Sequence, residues 1–214
     1  MNKLPKKQLL CFGDSNTWGY VPNSGDRFPP SIRWTGILHK HLDSNYFLIE
    51  NAVSGRSAHN LMPASDQRNG QEQLEAYLNQ HPTPAITAIM LGTNDIFNAP
   101  DFSARSIAKQ LIGLALLIQQ KNITVDSDSS VVLISPPPVN PNMEPSYFYQ
   151  SHIRKSQELS GHLLELAIQA DIPFINAADV AQGSEKDGIH LTAESHLKLG
   201  SFIFDEFKRL SLIT

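Results

Sequence analysis

Four uninterrupted apolar residues, Leu9-Leu10-Cys11-Phe12, run straight into a polar turn, Gly13-Asp14-Ser15-Asn16. An apolar run without polar alternation suits a strand buried on both faces, as in a parallel sheet. The same pattern recurs at residues 46–49, 85–91, 131–134 and 173–176, giving five short strands. Between them lie segments with apolar residues at helical spacing. Ser31 is placed to cap a helix carrying Ile32, Trp34, Ile37, Leu38 and Leu42, and residues 71–80 form the next. Asp101 or Ser103 opens a helix with Ile107, Leu111, Leu114 and Ile118 inward. A long helix is expected from about 146 to 170, and Thr192 caps a last one bearing Leu199, Ile203 and Phe207. The prolines at 22, 29 and 30 make residues 19–30 a surface loop.

Strands alternating with helices predict an α/β fold, a three-layer α/β/α sandwich on a five-stranded parallel sheet. Right-handed crossovers leave few topologies, and the flavodoxin-like order 2-1-3-4-5 is the natural one for five such units. A chain of 214 residues is expected to form one domain over 1–214.

Composition narrows the function classes. A net charge of −4 and no basic stripe argue against a nucleic-acid partner. No apolar run approaches the roughly 20 residues of a membrane span, and the start lacks the apolar core of a signal peptide, so a cytoplasmic protein is expected. The lone Cys11 lies in the first strand and reads as a buried thiol without a disulfide. No His-Glu-x-x-His or cysteine cluster occurs, and neither a metal nor another cofactor is expected. Residues 126–130 read as an exposed connector.

Parallel strands place every strand-to-helix turn on one sheet edge, where open α/β sheets bind their ligands. Ser15 follows the first strand, Gly55 the second and Asn94 the third, and these strands are neighbours in the order 2-1-3. Asp187 and His190 follow the fifth strand on the same edge. A serine hydroxyl needs a base to become a nucleophile, and histidine has the suitable pKa. A carboxylate three residues before that histidine is placed to fix its tautomer. The N–H groups of Ser15 and Gly55 and the Asn94 amide are candidate donors to an oxyanion. Taken singly, Asp14, Ser15 and Asn16 read more readily as the cap of the next helix; convergence of the turns promotes the serine.

These blocks carry a resemblance. Gly13-Asp14-Ser15-Asn16, Gly55 within Asn51-Ala52-Val53-Ser54-Gly55, Gly92-Thr93-Asn94-Asp95 and Asp187-Gly188-Ile189-His190 resemble the four signature blocks of the SGNH (GDSL-type) hydrolases. They occur in the family's order and span nearly the whole chain. The resemblance implies Ser15 as nucleophile, Gly55 and Asn94 as oxyanion-hole residues, His190 as base and Asp187 as its orienting carboxylate. Asn16 replaces the usual Leu, a variation that leaves those roles untouched. Thr17-Trp18-Gly19-Tyr20 is similar to the arylesterase and acyltransferase-like branch.

The expected activity is a serine esterase acting on short acyl esters of small molecules through an acyl-serine intermediate. A thioesterase or sugar O-acetylesterase on the same core is the alternative within this class. Outside it stands a flavodoxin-like ligand-binding protein, which would leave Asp187 and His190 without purpose. The α/β-hydrolase fold is disfavoured because no Gly-x-Ser-x-Gly elbow surrounds Ser15. Trp18 and Tyr20 either line a substrate pocket or pack under the loop. Asp14 is a candidate substrate contact whose commoner role is to shape the turn, and Asp95 reads as a cap. Arg56 reads as an exposed arginine, with capture of an anionic substrate group as the other possibility. The segment 136–149, ending Tyr147-Phe148-Tyr149, is expected to cover the site or to join a homo-oligomer.

Overall fold

The computed structural model describes residues 6–59, 61–125, 128–142 and 150–213. Five parallel strands stand in the order β2-β1-β3-β4-β5, as the alternation of elements predicts. They are β1 (Lys7–Gly13), β2 (Tyr46–Ala52), β3 (Ile86–Met90), β4 (Ser130–Ile134) and β5 (Phe174–Ile175). Leu10 and Phe12 of β1 face α3 (Gly70–Gln80), α5 (Ala104–Thr124) and α6 (Gln150–Gln169). Leu9 and Cys11 face the opposite way, toward α2 (Trp34–His41) and α7 (Ala193–Arg209), represented by Trp34, Leu38, Leu199, Ile203 and Phe207. All four β1 residues are fully buried. Each apolar side chain so buried contributes roughly 1.5–3 kcal/mol, which explains why this strand tolerates no polar alternation.

Two short elements complete the edge that matters: α1 (Ser15–Trp18) after β1 and α4 (Thr93–Asn98) after β3. Gly13 pairs with Ala52 on one side and Met90 on the other, so the three central turns leave the sheet level with one another.

Several boundaries differ from expectation for identifiable reasons. Ser31 is exposed and caps nothing; Ile32 and Arg33 first donate to Pro29 O, and α2 starts after Arg33 without a side-chain cap. β2 continues through Glu50 and Asn51 instead of breaking there, and as an edge strand it leaves Phe47 51% exposed. Its polar residues are held from outside the strand. Glu50 accepts from Arg33, Arg27 and Thr35, while Asn51 accepts from Arg56. The helix expected from 71 begins one residue earlier under Asn69, whose side chain accepts from the Glu72 N–H. Ser103, not Asp101, caps α5, and Thr192 caps α7. Residues 146–149 of the expected long helix, Tyr147-Phe148-Tyr149 among them, lie outside the described residues, as do 126 and 127 of the expected connector.

Candidate active site

Ser15 is the first residue of α1, and its side chain follows directly from the end of the buried β1. A Cβ on Gly13 would stand 2.0 Å from Thr17 Oγ1 and 2.9 Å from Met90 O, so the turn closes this tightly only around glycine. Asp14 caps the helix: its Oδ1 accepts the Asn16 N–H at 2.9 Å. Burial raises the Asp14 carboxyl to about 6, against the lowering effects of that bond and of His190 and Arg56. Asp14 is 1% exposed. The bond to Asn16 is the turn-shaping role that the sequence also offered for Asp14.

His190 comes from the loop after β5. Its Nε2 lies 3.0 Å from Ser15 Oγ and its Nδ1 2.8 Å from Asp187 Oδ2. Asp187 Oδ1 accepts from the N–H groups of His190 at 2.9 Å and Ile189 at 3.0 Å, and from Ser184 Oγ at 3.0 Å. Burial works to raise the Asp187 carboxyl, but these bonds and the adjacent imidazole outweigh it and hold the group at about 2. An ionised Asp187 accepts the Nδ1 proton, which leaves Nε2 as the acceptor for the serine hydroxyl. The arrangement sets a hydroxyl, an imidazole and a carboxylate in one line.

Gly55 leaves β2 with φ +85°, a left-handed conformation that favours glycine, and its N–H makes no hydrogen bond among the described residues. Ser15, at the first helical position, has no intrahelical acceptor for its own N–H. Asn94 Nδ2 donates to Arg56 O at 2.9 Å, tying the turn after β3 to the turn after β2. These are donors without competing partners, or half-used ones, at adjacent strand ends.

Arg56 departs furthest from expectation. It is 2% exposed, and its guanidinium donates to Asn51 O, Asn51 Oδ1, Gly13 O and Gln67 O while stacking 4.2 Å from the Phe12 ring. Burial lowers its pKa to about 10, with Asp14 opposing the shift. With its donors directed to three backbone carbonyls and the Asn51 side chain, it holds the turns in place. Asp95 does not cap α4, whose cap position is Gly92 and carries no side-chain bond. It is fully buried and accepts from the N–H groups of Ala58 and His59 and from His59 Nδ1 at 2.8 Å.

Tyr20 stacks on the His190 ring at 4.1 Å with the planes 26° apart, and Trp18 lies 6.3 Å from Tyr20. Arg27 sits over Trp18 at 5.1 Å, donates to Trp18 O and reaches Glu50. Tyr20 and Arg27 also form an antiparallel bridge, so the loop 19–30 is ordered by its own contacts. Tyr20 thus borders the His190 imidazole, and Trp18 packs under Arg27. Residues 138–140 brace the base loop from behind, since Gly183 N donates to Pro138 O and Asn140 N to Gly188 O. Ser184, Arg56 and the His59–Asp95 pair went unmarked as structural partners in the sequence, because each acts through contacts that no local motif announces.

This fold with this constellation defines an SGNH serine hydrolase acting on ester bonds. The chain belongs to the GDSL-like Lipase/Acylhydrolase family, which residues 11–198 match. Among solved structures it is similar to the native aryl esterase of M. smegmatis, with 31% identity and a TM-score of 0.85 over 97% of this chain and 100% of that one. It is also similar to Est24, a carbohydrate acetylesterase from Sinorhizobium meliloti, with 34% identity and a TM-score of 0.83 over 96% and 100%. A member of the lipolytic G-D-S-L family from Veillonella parvula, at 16% identity and a TM-score of 0.71 over 94% and 98%, shares the fold. No curated protein matches the chain significantly. Among the described residues no helix is long and apolar enough to cross a membrane.

Proposed function

We propose that the protein hydrolyses short-chain acyl esters through an acyl-serine intermediate, with Ser15 as nucleophile. The unbroken line Ser15 Oγ–His190 Nε2 at 3.0 Å and His190 Nδ1–Asp187 Oδ2 at 2.8 Å carries the reading. His190 takes the hydroxyl proton as Ser15 attacks the acyl carbon, and Asp187 stabilises the imidazolium that forms. The carbonyl oxygen becomes an oxyanion facing the N–H groups of Ser15 and Gly55 and the Asn94 amide. His190 then passes its proton to the leaving oxygen, the alcohol departs, and water repeats the cycle on the acyl-serine to release the acid.

Aryl or sugar esters are the substrate classes to test first. The M. smegmatis relative is an aryl esterase, and the Tyr20–Trp18 surface beside the base offers an aromatic leaving group a ring to stack on. A sugar O-acetylesterase is the second reading, favoured by the likeness to Est24 and by the affinity of aromatic rings for the apolar faces of sugars. Short acyl groups fit a loop, 19–30, that carries few large apolar side chains. Ser15→Ala should abolish hydrolysis of p-nitrophenyl acetate and leave the thermal unfolding midpoint in place. Residual turnover near the wild-type level ends this mechanism. Comparing phenyl acetate with an acetylated sugar separates the two substrate readings.

A further inference from the structure

The residue after the nucleophile makes two bonds that Ser15, His190 and Asp187 do not account for. Asn16 is 1% exposed. Its Oδ1 accepts the Leu191 N–H at 3.0 Å, and its Nδ2 donates to Ile189 O at 3.3 Å. The two partners are the residues immediately before and after His190, at sequence separations of 173 and 175. Only one orientation of the amide satisfies both, since the Leu191 side offers a donor and the Ile189 side an acceptor. The Asn16 backbone N–H is itself fixed by Asp14 Oδ1. One planar group, rooted in the turn that presents Ser15, thus grips the backbone on both sides of the base.

We propose that Asn16 is a positioning residue that sets the Ser15–His190 geometry by clamping the base loop to the nucleophile turn; this rests on the catalytic roles given above to Ser15 and His190. Asp187 fixes the rotation of the imidazole ring, but only through its own loop, three residues away. No bond between Asp187 and α1 ties that loop to the serine. The Asn16 amide does so directly, and a leucine side chain at this position has neither the donor nor the acceptor. Misplacing a reacting pair by about an ångström costs about 10²-fold in rate.

The consequence is selective among substrates. His190 both accepts the serine proton and returns it to the leaving oxygen. A p-nitrophenolate departs without that proton, whereas an alkoxide needs it. Loss of His190 alignment therefore penalises alkyl esters beyond aryl esters, while a smaller folded fraction lowers both by one common factor. In Asn16→Leu, kcat/KM on ethyl acetate should fall about 10²-fold, and the fall on p-nitrophenyl acetate should be smaller by about tenfold. Asn16→Asp keeps the acceptor for Leu191 and loses the donor toward Ile189. It should show the same leaving-group bias with a smaller loss, and it carries the test if the leucine variant does not fold. Equal losses on the two esters, or none, overturn the proposal. Ser15→Ala runs beside them: persisting activity there discredits the nucleophile itself, whatever the Asn16 variants do.

Discussion

The described residues hold two histidine–aspartate pairs of nearly the same local geometry, and the two differ in what surrounds them. His190 and Asp187 meet at 2.8 Å, and so do His59 and Asp95. Each imidazole lies 4.1 Å from an aromatic ring, Tyr20 in the first case and Phe102 in the second. The differences lie at the far nitrogen and in access. His190 Nε2 faces a serine hydroxyl, and the two side chains retain 17% and 15% exposure. His59 Nε2 is buried with no hydrogen-bond partner among the described residues, and its pair retains 6% and 0%. Asp95 spends its carboxylate on the N–H groups of Ala58 and His59, fastening the turn after β2 to α4. A histidine–aspartate contact is therefore no signature of catalysis. What the second nitrogen meets, and whether a substrate reaches it, separates a base from a brace.

Exchanging the carboxylates tests this contrast with the largest effect. Asp187→Asn presents the imidazole with an amide in place of an anion, which favours the wrong tautomer and withdraws stabilisation from the imidazolium. The expected loss in kcat is about 10⁴-fold with the fold retained. At the other pair, His59→Leu removes one donor from the buried Asp95 carboxylate. It should cost about 1–3 kcal/mol of stability, read from denaturant unfolding. The kcat/KM of the folded His59→Leu enzyme should remain unchanged. A catalytic collapse in His59→Leu, with stability intact, would reverse the assignment of the two pairs.

Acid should reveal the Asp187 contribution with a gentler effect. The Asp187 carboxyl is held at about 2, below the ordinary carboxylate range near 4. A depressed carboxylate pKa contributes stability that is present above the unfolded value and disappears as pH falls through the folded value. The Asp187 contribution is thus complete at neutral pH and lost between about pH 4 and pH 2. Thermal midpoints measured across that window should fall less steeply in Asp187→Asn than in the wild type. Parallel curves for the two proteins would mean that the bonds to His190 and Ile189 are not formed in solution.

The same contrast explains what was legible from the amino-acid order. Ser15, Gly55 and Asn94 each follow a strand within a few residues, so strand order assembles their turns on one edge, and the longer loop after β5 brings Asp187 and His190 to them. The apolar runs of β1, β3 and β4 are buried on both faces, which leaves little freedom in reading them. Polar residues with distant partners were opaque. Arg56 sits among serines and a glycine, the surroundings of a surface residue, yet its acceptors come from residues 13, 51 and 67. Glu50 and Asn51 look like the end of a strand until Arg33 and Arg56 arrive to satisfy them. Asp95 reads as a local cap because His59 lies 36 residues away. Burial of a polar group depends on who meets it, and that is a property of the assembled fold.

The smallest effect concerns the two rings. Aromatic pairs in contact are worth about 0.5–1.5 kcal/mol beyond the area they bury. Tyr20 lies against the working imidazole, so removing its ring withdraws that energy from the oriented base and from the imidazolium it becomes. Tyr20→Leu should lower kcat/KM by about threefold to tenfold, the kinetic equivalent of that energy. Tyr20→Phe retains the ring and should rescue most of the loss, which tells stacking apart from any role of the hydroxyl. Phe102→Leu removes the matching ring from His59, and its effect should fall on stability alone. If both leucine variants shift kcat/KM equally, the rings serve the packing of the crevice as a whole, and the distinction between the pairs ends at the nitrogen that faces Ser15.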